Sequence, residues 1–230
     1  MNQPVDTFTY APNPMNSWTH SYSLMIKDAY ESALAEKDNL NVVWKNMPGM
    51  SGRMYRAFIN NLVKLVPDPR YLEIGTWKGS TACAAISGNK LKAVCVDNWS
   101  QFGGPKDEFL ANINLCLKDS DCDFNFIEND FRKVDYDSLG KFNIYFFDGP
   151  HEEADQYDAI KYAQNALDDT YILVVDDFNV PHIRTGTYNA LNDLNHNIVS
   201  SIEIITAYPG PREQYSHWHG GYFIAVIEKG

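Results

Sequence analysis

Short apolar runs alternate with amphipathic segments from residue 70 onward. Five runs are predicted strands because they are short and almost continuously apolar: YLEIG (71–75), LKAVCVD (91–97), FNFIE (124–128), FNIYFFD (142–148) and YILVVDD (171–177). The segments between them are predicted helices, near 79–88, 106–118, 152–166 and 181–194. Two last strands, 198–208 and 221–229, are joined by a loop. This pattern predicts an α/β fold, with helices on both faces of a parallel sheet and a hairpin at its end.

The first 70 residues follow a different pattern. Residues 21–38 and 53–66 are predicted helices, separated by the breaker MPGMSG at 47–52. Residues 1–20 are rich in proline, asparagine and aromatic residues and show no periodicity. We therefore divide the chain into an N-terminal arm with a helical extension, 1–50, and one domain, 51–230. Two interpretations of the arm stay open, a lid over a site and a contact in a homo-oligomer.

Composition narrows the class of protein. The chain has 230 residues, 44% hydrophobic and 21% charged, as expected for one globular domain. Its net charge of −11, without a basic run, argues against a nucleic-acid partner. No apolar run reaches the roughly 20 residues that span a bilayer, and the N-terminus has no signal-peptide pattern. We expect a cytoplasmic protein with no membrane partner, in which Cys83 and Cys95 are buried, reduced thiols.

Acidic residues end or follow every predicted core strand. They are Glu73, Asp97, Asp130, Asp148 and the pair Asp176–Asp177. In an open α/β sheet, ligands bind beyond the carboxyl ends of the strands. Since carboxylates repel one another, five such strand ends indicate a ligand site and a metal site.

A glycine turn joins the first core strand to its helix. The turn runs from Gly75 to Gly79, and Asp97 follows Gly75 by 22 residues, a spacing that suits a carboxylate on two ribose hydroxyls. Trp77 stands where a dinucleotide-binding turn has its second glycine. A bulky residue there argues against a diphosphate, and so against an NAD-dependent oxidoreductase. The turn favours a nucleoside cofactor without phosphate.

The stretch EIGTWKGS (73–80) resembles the first motif, acid-x-Gly-x-x-x-Gly, of class I S-adenosylmethionine-dependent methyltransferases. Val96-Asp97 is similar to their ribose-binding motif, and Asn129-Asp130 to their acidic motif near the adenine. The resemblance covers about residues 50–228 and implies a doubly wound, mostly parallel, seven-stranded sheet with an antiparallel last strand. It also implies that S-adenosylmethionine binds to Ser51, Glu73, Gly75, Thr76, Gly79, Ser80, Asp97, Asn98, Asp130 and Asp148.

Three carboxylates are predicted to converge where the fourth and fifth core strands end. Asp148, Asp176 and Asp177 supply oxygen ligands that suit Mg²⁺ or another hard divalent ion, whereas helix capping and solvation are the alternative. This arrangement resembles the macrocin O-methyltransferase-like enzymes, which methylate sugar hydroxyls and phenols. The resemblance implies that the three aspartates bind the metal and that Asp148 and His151 are catalytic, with His151 as general base. A histidine that only hydrogen-bonds the start of a helix is the other interpretation of His151.

The sequence therefore predicts a Mg²⁺-dependent O-methyltransferase acting on a hydroxyl of a small sugar-type or phenol-type molecule. Two clusters of aromatic and histidine residues are predicted to wall the substrate: Trp99 and Phe102 after the second strand, and Tyr215, His217, Trp218 and His219 in the last loop. Two alternatives remain, a metal-independent methyltransferase of nitrogen or carboxyl groups and a non-catalytic S-adenosylmethionine-binding module. The sequence does not define the methyl acceptor.

Overall fold

The computed structural model describes residues 7–11, 19–38, 40–206 and 218–230. They form one sheet in the order β1-β7-β8-β6-β5-β2-β3-β4. Its strands are β1 Thr7–Ala11, β2 Arg70–Ile74, β3 Lys90–Asp97, β4 Asp121–Glu128, β5 Phe142–Phe147, β6 Leu167–Asp176, β7 His196–Ile205 and β8 Tyr222–Lys229. Strands β2 to β6 pair in parallel, and β8 lies antiparallel between β6 and β7. The predicted seven-stranded sheet with an antiparallel last strand is thus confirmed for β2 to β8.

The N-terminal segment adds an eighth strand that the sequence did not predict. β1 pairs antiparallel with β7, with Thr7 opposite Ile205 and Ala11 opposite Ser201. TFTYA alternates threonine with aromatic residues, a pattern typical of a strand, but the run is only five residues long. The rest of the proposed arm before residue 19 lies outside the described residues, and the lid and homo-oligomer interpretations stay predictions.

Helices cover both faces of the sheet. They are α1 Ser21–Leu34, α2 Val42–Asn46, α3 Arg53–Leu65, α4 Ser80–Ile86, α5 Lys106–Cys116, α6 Glu153–Ala163 and α7 Pro181–Asp193. Successive side chains of β5 point to opposite faces, so Ile144 and Phe146 join one hydrophobic core while Tyr145 and Phe147 join the other. The central strands are mostly apolar because both of their faces are covered, with Glu73 in β2 and Asn143 in β5 among the buried polar exceptions.

The order of the strands fixes the place of a ligand site. The chain moves outward from β2 to β3 and β4, and then returns to form β5 on the other side of β2. The switch point therefore lies between β2 and β5, where a crevice opens beyond the carboxyl ends of the strands. Gly75 follows β2 and Asp148 follows β5, so the glycine turn and the first acid of the predicted metal site meet there.

The cysteines agree with the prediction of reduced thiols. All four are free, and Cys83, Cys95 and Cys116 are buried. In the part of the chain that the structure describes, no helix has the length and apolarity needed to cross a membrane.

Candidate active site

A cavity of about 530 Å³ opens at the switch point. Most of the predicted site residues line it: Ser51, Gly75, Thr76, Ser80, Asp97, Asn98, Asp130, Asp148, His151, Asp176 and Asp177. Glu73 and Gly79 lie outside this lining. The structure thus brings together, in one cavity, residues at the carboxyl ends of five different strands, β2 to β6.

Gly75 makes the closest contact in the wall of the cavity. Its φ is +86°, and a Cβ on it would lie 1.8 Å from the carbonyl oxygen of Asp148. The backbone is held there from both sides, since Gly75 N–H donates to the Val96 carbonyl at 2.9 Å and Asp148 N–H donates to the Ile74 carbonyl at 2.8 Å. Only glycine fits this position, because any side chain would meet the β5 backbone.

Glu73 lies behind the cavity wall and joins β2 to α4. It is fully buried and accepts hydrogen bonds from Thr81 Oγ1 at 2.6 Å and from the Tyr71 hydroxyl at 2.5 Å. Burial raises the pKa of its carboxyl to about 8, although these two hydrogen bonds oppose the rise. The contact between Glu73 and the cofactor stays a prediction, and what the structure adds is a link between strand and helix.

Gly79 is the residue before α4, at the end of the glycine turn. Its φ is +81°, and a Cβ on it would lie 3.0 Å from Cδ2 of Phe109. The left-handed turn and the close packing of α5 both favour glycine here. The predicted contact between Gly79 and the cofactor stays a prediction.

Asp97 holds two loops of the cavity at once. Its Oδ2 accepts from the backbone N–H of Thr76 at 2.8 Å and of Trp77 at 2.9 Å, and its Oδ1 accepts from Trp99 N–H at 2.7 Å. The indole of Trp99 donates to the Trp77 carbonyl at 2.9 Å, and the indole of Trp77 donates to the Phe102 carbonyl at 3.1 Å. The predicted ribose acid therefore also fixes the shape of the rim, where the Phe102 side chain is 67% exposed.

Two basic side chains of the cavity were missed by the sequence analysis. Arg132 pairs with Asp155 and Asp158, joining the turn after β4 to α6. His182 lies in the first turn of α7, after the end of β6. Both follow the carboxyl end of a core strand, and that position was the signal that could have identified them.

The last loop contributes less to the cavity than predicted. Trp218 is only 2% exposed and stacks on Tyr30 with ring centroids 5.3 Å apart, so it belongs to the core and not to a substrate wall. Its neighbour His219 does line the cavity. Tyr215 and His217, also predicted in the wall, lie outside the described residues.

His151 lies between two of the predicted metal ligands. Its Nδ1 is 3.1 Å from Asp177 Oδ2, and its Nε2 is 3.3 Å from Asp148 Oδ1, without the alignment of a hydrogen bond. Burial by itself would lower the pKa of His151, but the two carboxylates outweigh it and raise the pKa to about 10. Burial raises the pKa of Asp148, whereas for Asp177 the imidazole outweighs burial and lowers the pKa. The imidazole is therefore a cation that balances this acidic cluster.

Asp176 is the deepest acid of the cluster. It is buried, and its Oδ1 has no hydrogen-bond partner among the described residues. Burial raises the pKa of Asp176 far above its usual range, and the nearby Asp148 and Asp177 add to the rise. An unpartnered buried carboxyl oxygen costs free energy unless a proton, a cation or water satisfies it.

The predicted metal ligands have the donor atoms that a cation needs, but their side chains are not arranged as a metal site. Asp148, Asp176 and Asp177 are oxygen donors that suit a hard divalent ion. However, no group of three or more His, Cys, Asp or Glu side chains in the described ranges is arranged to hold a metal ion. The reason is local: the His151 ring stands between Asp148 and Asp177, where an ion shared by these two carboxylates would bind.

Comparisons with known proteins agree with this fold. A family model described as a methyltransferase domain matches residues 72–178, from β2 to the residue after the acidic pair. An O-methyltransferase from Bacillus cereus in complex with SAH aligns with a TM-score of 0.53 at 13% identity, covering 89% of this chain and 91% of that one. A cofactor-bound protein from MTB aligns with a TM-score of 0.53 at 13% identity, covering 92% and 91% of the two chains. No match was found among curated protein sequences.

The fold, the cavity and the domain match together define the class of protein. The chain has the Rossmann-like fold of these methyltransferases, and its residues 72–178 match a methyltransferase domain. The predicted methyltransferase fold and domain are therefore confirmed, and the macrocin-like group, the acceptor and the metal go beyond what these comparisons show.

Proposed function

We propose that this methyltransferase transfers a methyl group to a hydroxyl oxygen of a small molecule of the sugar or phenol type. The observation that carries the proposal is His151, held between Asp148 and Asp177 inside the cavity that also contains Asp97. O-methylation requires a group that takes the hydroxyl proton as the new bond forms. An imidazole fixed by two carboxylates, beside the expected cofactor site, suits that role once it has released its own proton to solvent, since it is a cation at rest.

The cofactor residues are proposed from the resemblance and from the lining of the cavity. Ser51, Gly75, Thr76 and Ser80 would contact the methionine and sulfonium end, with Asp97 and Asn98 at the ribose and Asp130 near the adenine. S-adenosylmethionine supplies an electrophilic methyl group on a sulfonium, whose carbon–sulfur bond breaks as the carbon–oxygen bond forms. The protein then has to position the hydroxyl and accept one proton. The cluster of Asp148, His151 and Asp177 accepts it after it has released the proton that it holds at rest.

Transfer of labelled methyl from S-adenosylmethionine to a panel of phenols and sugars tests the proposal. We expect His151→Ala to lower kcat by about 10²- to 10⁴-fold, the usual contribution of a general base, with little change in SAH affinity. His20→Ala is the matched control, since His20 caps α1 and does not line the cavity. Full turnover in His151→Ala would show that His151 is not the general base. Methyl groups found only on nitrogen or carboxyl groups of acceptors would favour the alternative chemistry.

Dependence on a divalent ion is a second proposal, favoured by the unpartnered Asp176 oxygen. Asp148, Asp176 and Asp177 would hold the ion once the His151 ring no longer stood between two of them. A bound Mg²⁺ would lower the pKa of the acceptor hydroxyl and orient it. Turnover that is lost in EDTA and restored by Mg²⁺ supports this proposal, provided that Asp176→Asn abolishes the response to Mg²⁺. Unchanged turnover in EDTA contradicts it and leaves the O-methylation proposal standing.

A further inference from the structure

Arg56 is a buried cation that the proposed reaction does not use. It lies on α3, is 3% exposed, and donates through Nη1 to the backbone carbonyls of Met47 at 2.7 Å, Lys45 at 3.3 Å and Trp44 at 3.4 Å. Its Nε donates to Ser51 Oγ at 2.8 Å. Four neutral acceptors thus hold the guanidinium in one position, directly behind the segment 47–51.

The charge of Arg56 has no acidic partner among the described residues. Burial lowers the pKa of its guanidinium to about 10, and the neighbours that act on this pKa are Tyr222, Arg53 and Cys83, none of which is a carboxyl group. The group still carries its charge at neutral pH. Since a buried charge is costly without a counter-charge, the position is best explained by an anion that binds nearby.

Ser51 connects Arg56 to the cavity. Ser51 and Ser80 both line the cavity, whereas Arg56 does not, and the two serine oxygens lie 3.1 Å apart. Because Ser51 Oγ accepts from Arg56 Nε, its own hydroxyl hydrogen is available to Ser80 or to a ligand. The guanidinium thereby makes Ser51 a stronger donor into the cavity.

Gly49 shows how tightly this part of the wall is built. A Cβ on Gly49 would lie 2.4 Å from Ser80 Oγ and 2.7 Å from Arg56 Nη2. The chain therefore passes between the serine and the guanidinium with no room for a side chain. The rest of the cavity contains Asp97 beyond the glycine turn, the acidic cluster with His151, and Arg132, whose charge is already paired with Asp155 and Asp158. A ligand carboxylate therefore meets least repulsion on the Ser51 side.

We propose that Arg56 is a positioning residue for the carboxylate of the cofactor's methionine portion, and that it acts through the hydroxyl of Ser51. The inference rests on the proposed placement of the cofactor, with its ribose at Asp97 and its amino-acid end at Ser51 and Ser80. In this arrangement the ligand carboxylate supplies the counter-charge that Arg56 lacks among the described residues. It also fixes one end of the cofactor, and so the direction in which the methyl group points.

Calorimetric titration with three adenosyl ligands tests the inference. SAH carries the carboxylate, decarboxylated SAH lacks only that group, and 5′-methylthioadenosine lacks the whole amino-acid end. Wild-type protein should bind SAH at least about tenfold more tightly than decarboxylated SAH, as expected for a charge-assisted hydrogen bond. Arg56→Gln should lower the affinity for SAH by about tenfold or more and leave the other two affinities unchanged. Arg53→Gln, an exposed arginine of the same helix, should change none of them.

Equal losses for all three ligands in Arg56→Gln would show a structural role only, and no loss for SAH would show no role; either result overturns the inference. If Arg56→Gln does not yield folded protein, Ser51→Ala carries the test, because it should show the same loss confined to SAH. A Ser51→Ala protein that binds SAH as tightly as the wild type overturns the inference too. Wild-type protein that binds SAH and decarboxylated SAH equally contradicts this inference alone, whereas failure to bind any of the three ligands contradicts the proposed cofactor site itself.

Discussion

Gly75 and Asp148 meet backbone to backbone, so closely that a Cβ on Gly75 would lie 1.8 Å from the Asp148 carbonyl oxygen. The contact joins the glycine turn after β2 to the first residue of the acidic cluster after β5. Both halves of the proposed site therefore depend on one position of the backbone. A change at Gly75 should affect cofactor binding and the acidic cluster together.

We expect Gly75→Ala to lower the free energy of unfolding by about 2–5 kcal/mol, since it adds a left-handed strain to a backbone clash. Gly103→Ala is the matched control, because Gly103 has a similar φ of +82° but a Cβ on it would have nothing within 4 Å. That variant should lose only about 1 kcal/mol. Denaturant unfolding measures both changes. Equal losses would mean that the contact with Asp148 is not the reason for glycine at position 75.

Asp97→Asn should weaken both the rim of the cavity and cofactor binding. An amide cannot accept hydrogen bonds at both of its ends, so either Trp99 or the pair Thr76 and Trp77 would lose its acceptor. We expect a loss of about 1–3 kcal/mol in unfolding free energy and at least a tenfold loss of SAH affinity. Asp107→Asn, in the exposed first turn of α5, should stay within about 0.5 kcal/mol. Unchanged SAH affinity in Asp97→Asn would contradict its assignment to the ribose.

The raised pKa of Glu73 predicts how stability depends on pH. The folded protein keeps this proton up to a pKa of about 8, whereas the unfolded chain releases it near 4.5. Between these values the folded state binds more protons, so the Glu73 contribution to stability is complete below about pH 4.5 and is lost as pH rises to 8. Glu73→Gln removes this dependence. Its unfolding free energy relative to the wild type should increase by up to about 1.4 kcal/mol per pH unit across the window.

Unfolding of Glu73→Gln and wild-type protein at several pH values between 5 and 9 gives that difference directly. A difference that stays constant with pH would show that Glu73 is ionised in the folded protein, and would contradict the effect ascribed to its burial. A difference that decreases with pH would contradict the sign of the argument.

Phe102 is the exposed aromatic residue at the rim, and we expect Phe102→Ala to raise KM for the acceptor by about tenfold, since it removes one apolar contact surface. Stability should hardly change, because the side chain is 67% exposed. Leu115→Ala on α5, 50% exposed and away from the cavity, is the matched control. Steady-state kinetics with any accepted phenol or sugar gives the comparison. An unchanged KM would show that Phe102 does not contact the acceptor.

The sequence was sufficient to predict the strands whose own residues form an apolar run. FNIYFF of β5 is apolar except for Asn143 because both faces are covered, so it could be recognised without the rest of the fold. The start of β6 could not, because Leu167–Thr170 is polar and extends the strand only by pairing with its neighbours. β1 was missed for a different reason: TFTYA does alternate threonine with aromatic residues, but the run is only five residues long and its pairing partner β7 is far away in the sequence.

The candidate site, too, could be predicted from the sequence only in part. Strand-end acids and the glycine turn could be placed from the sequence, because parallel strands bring their carboxyl ends to one edge. The position of the His151 ring between Asp148 and Asp177 could not, since it depends on how two loops from different strands approach each other. Arg56 carried no sequence signal as a site residue, because its partners are backbone carbonyls and one serine.

Thermal unfolding with SAH and with NADH tests the central claim, that this cavity binds an adenosyl methyl donor. With SAH at about 100 times its dissociation constant, binding stabilises the folded protein by about 2.7 kcal/mol. For a chain of this size we expect Tm to rise by about 5–10 °C with SAH and to stay unchanged with NADH. A rise with NADH alone, or no rise with SAH at saturating concentration, would contradict the account.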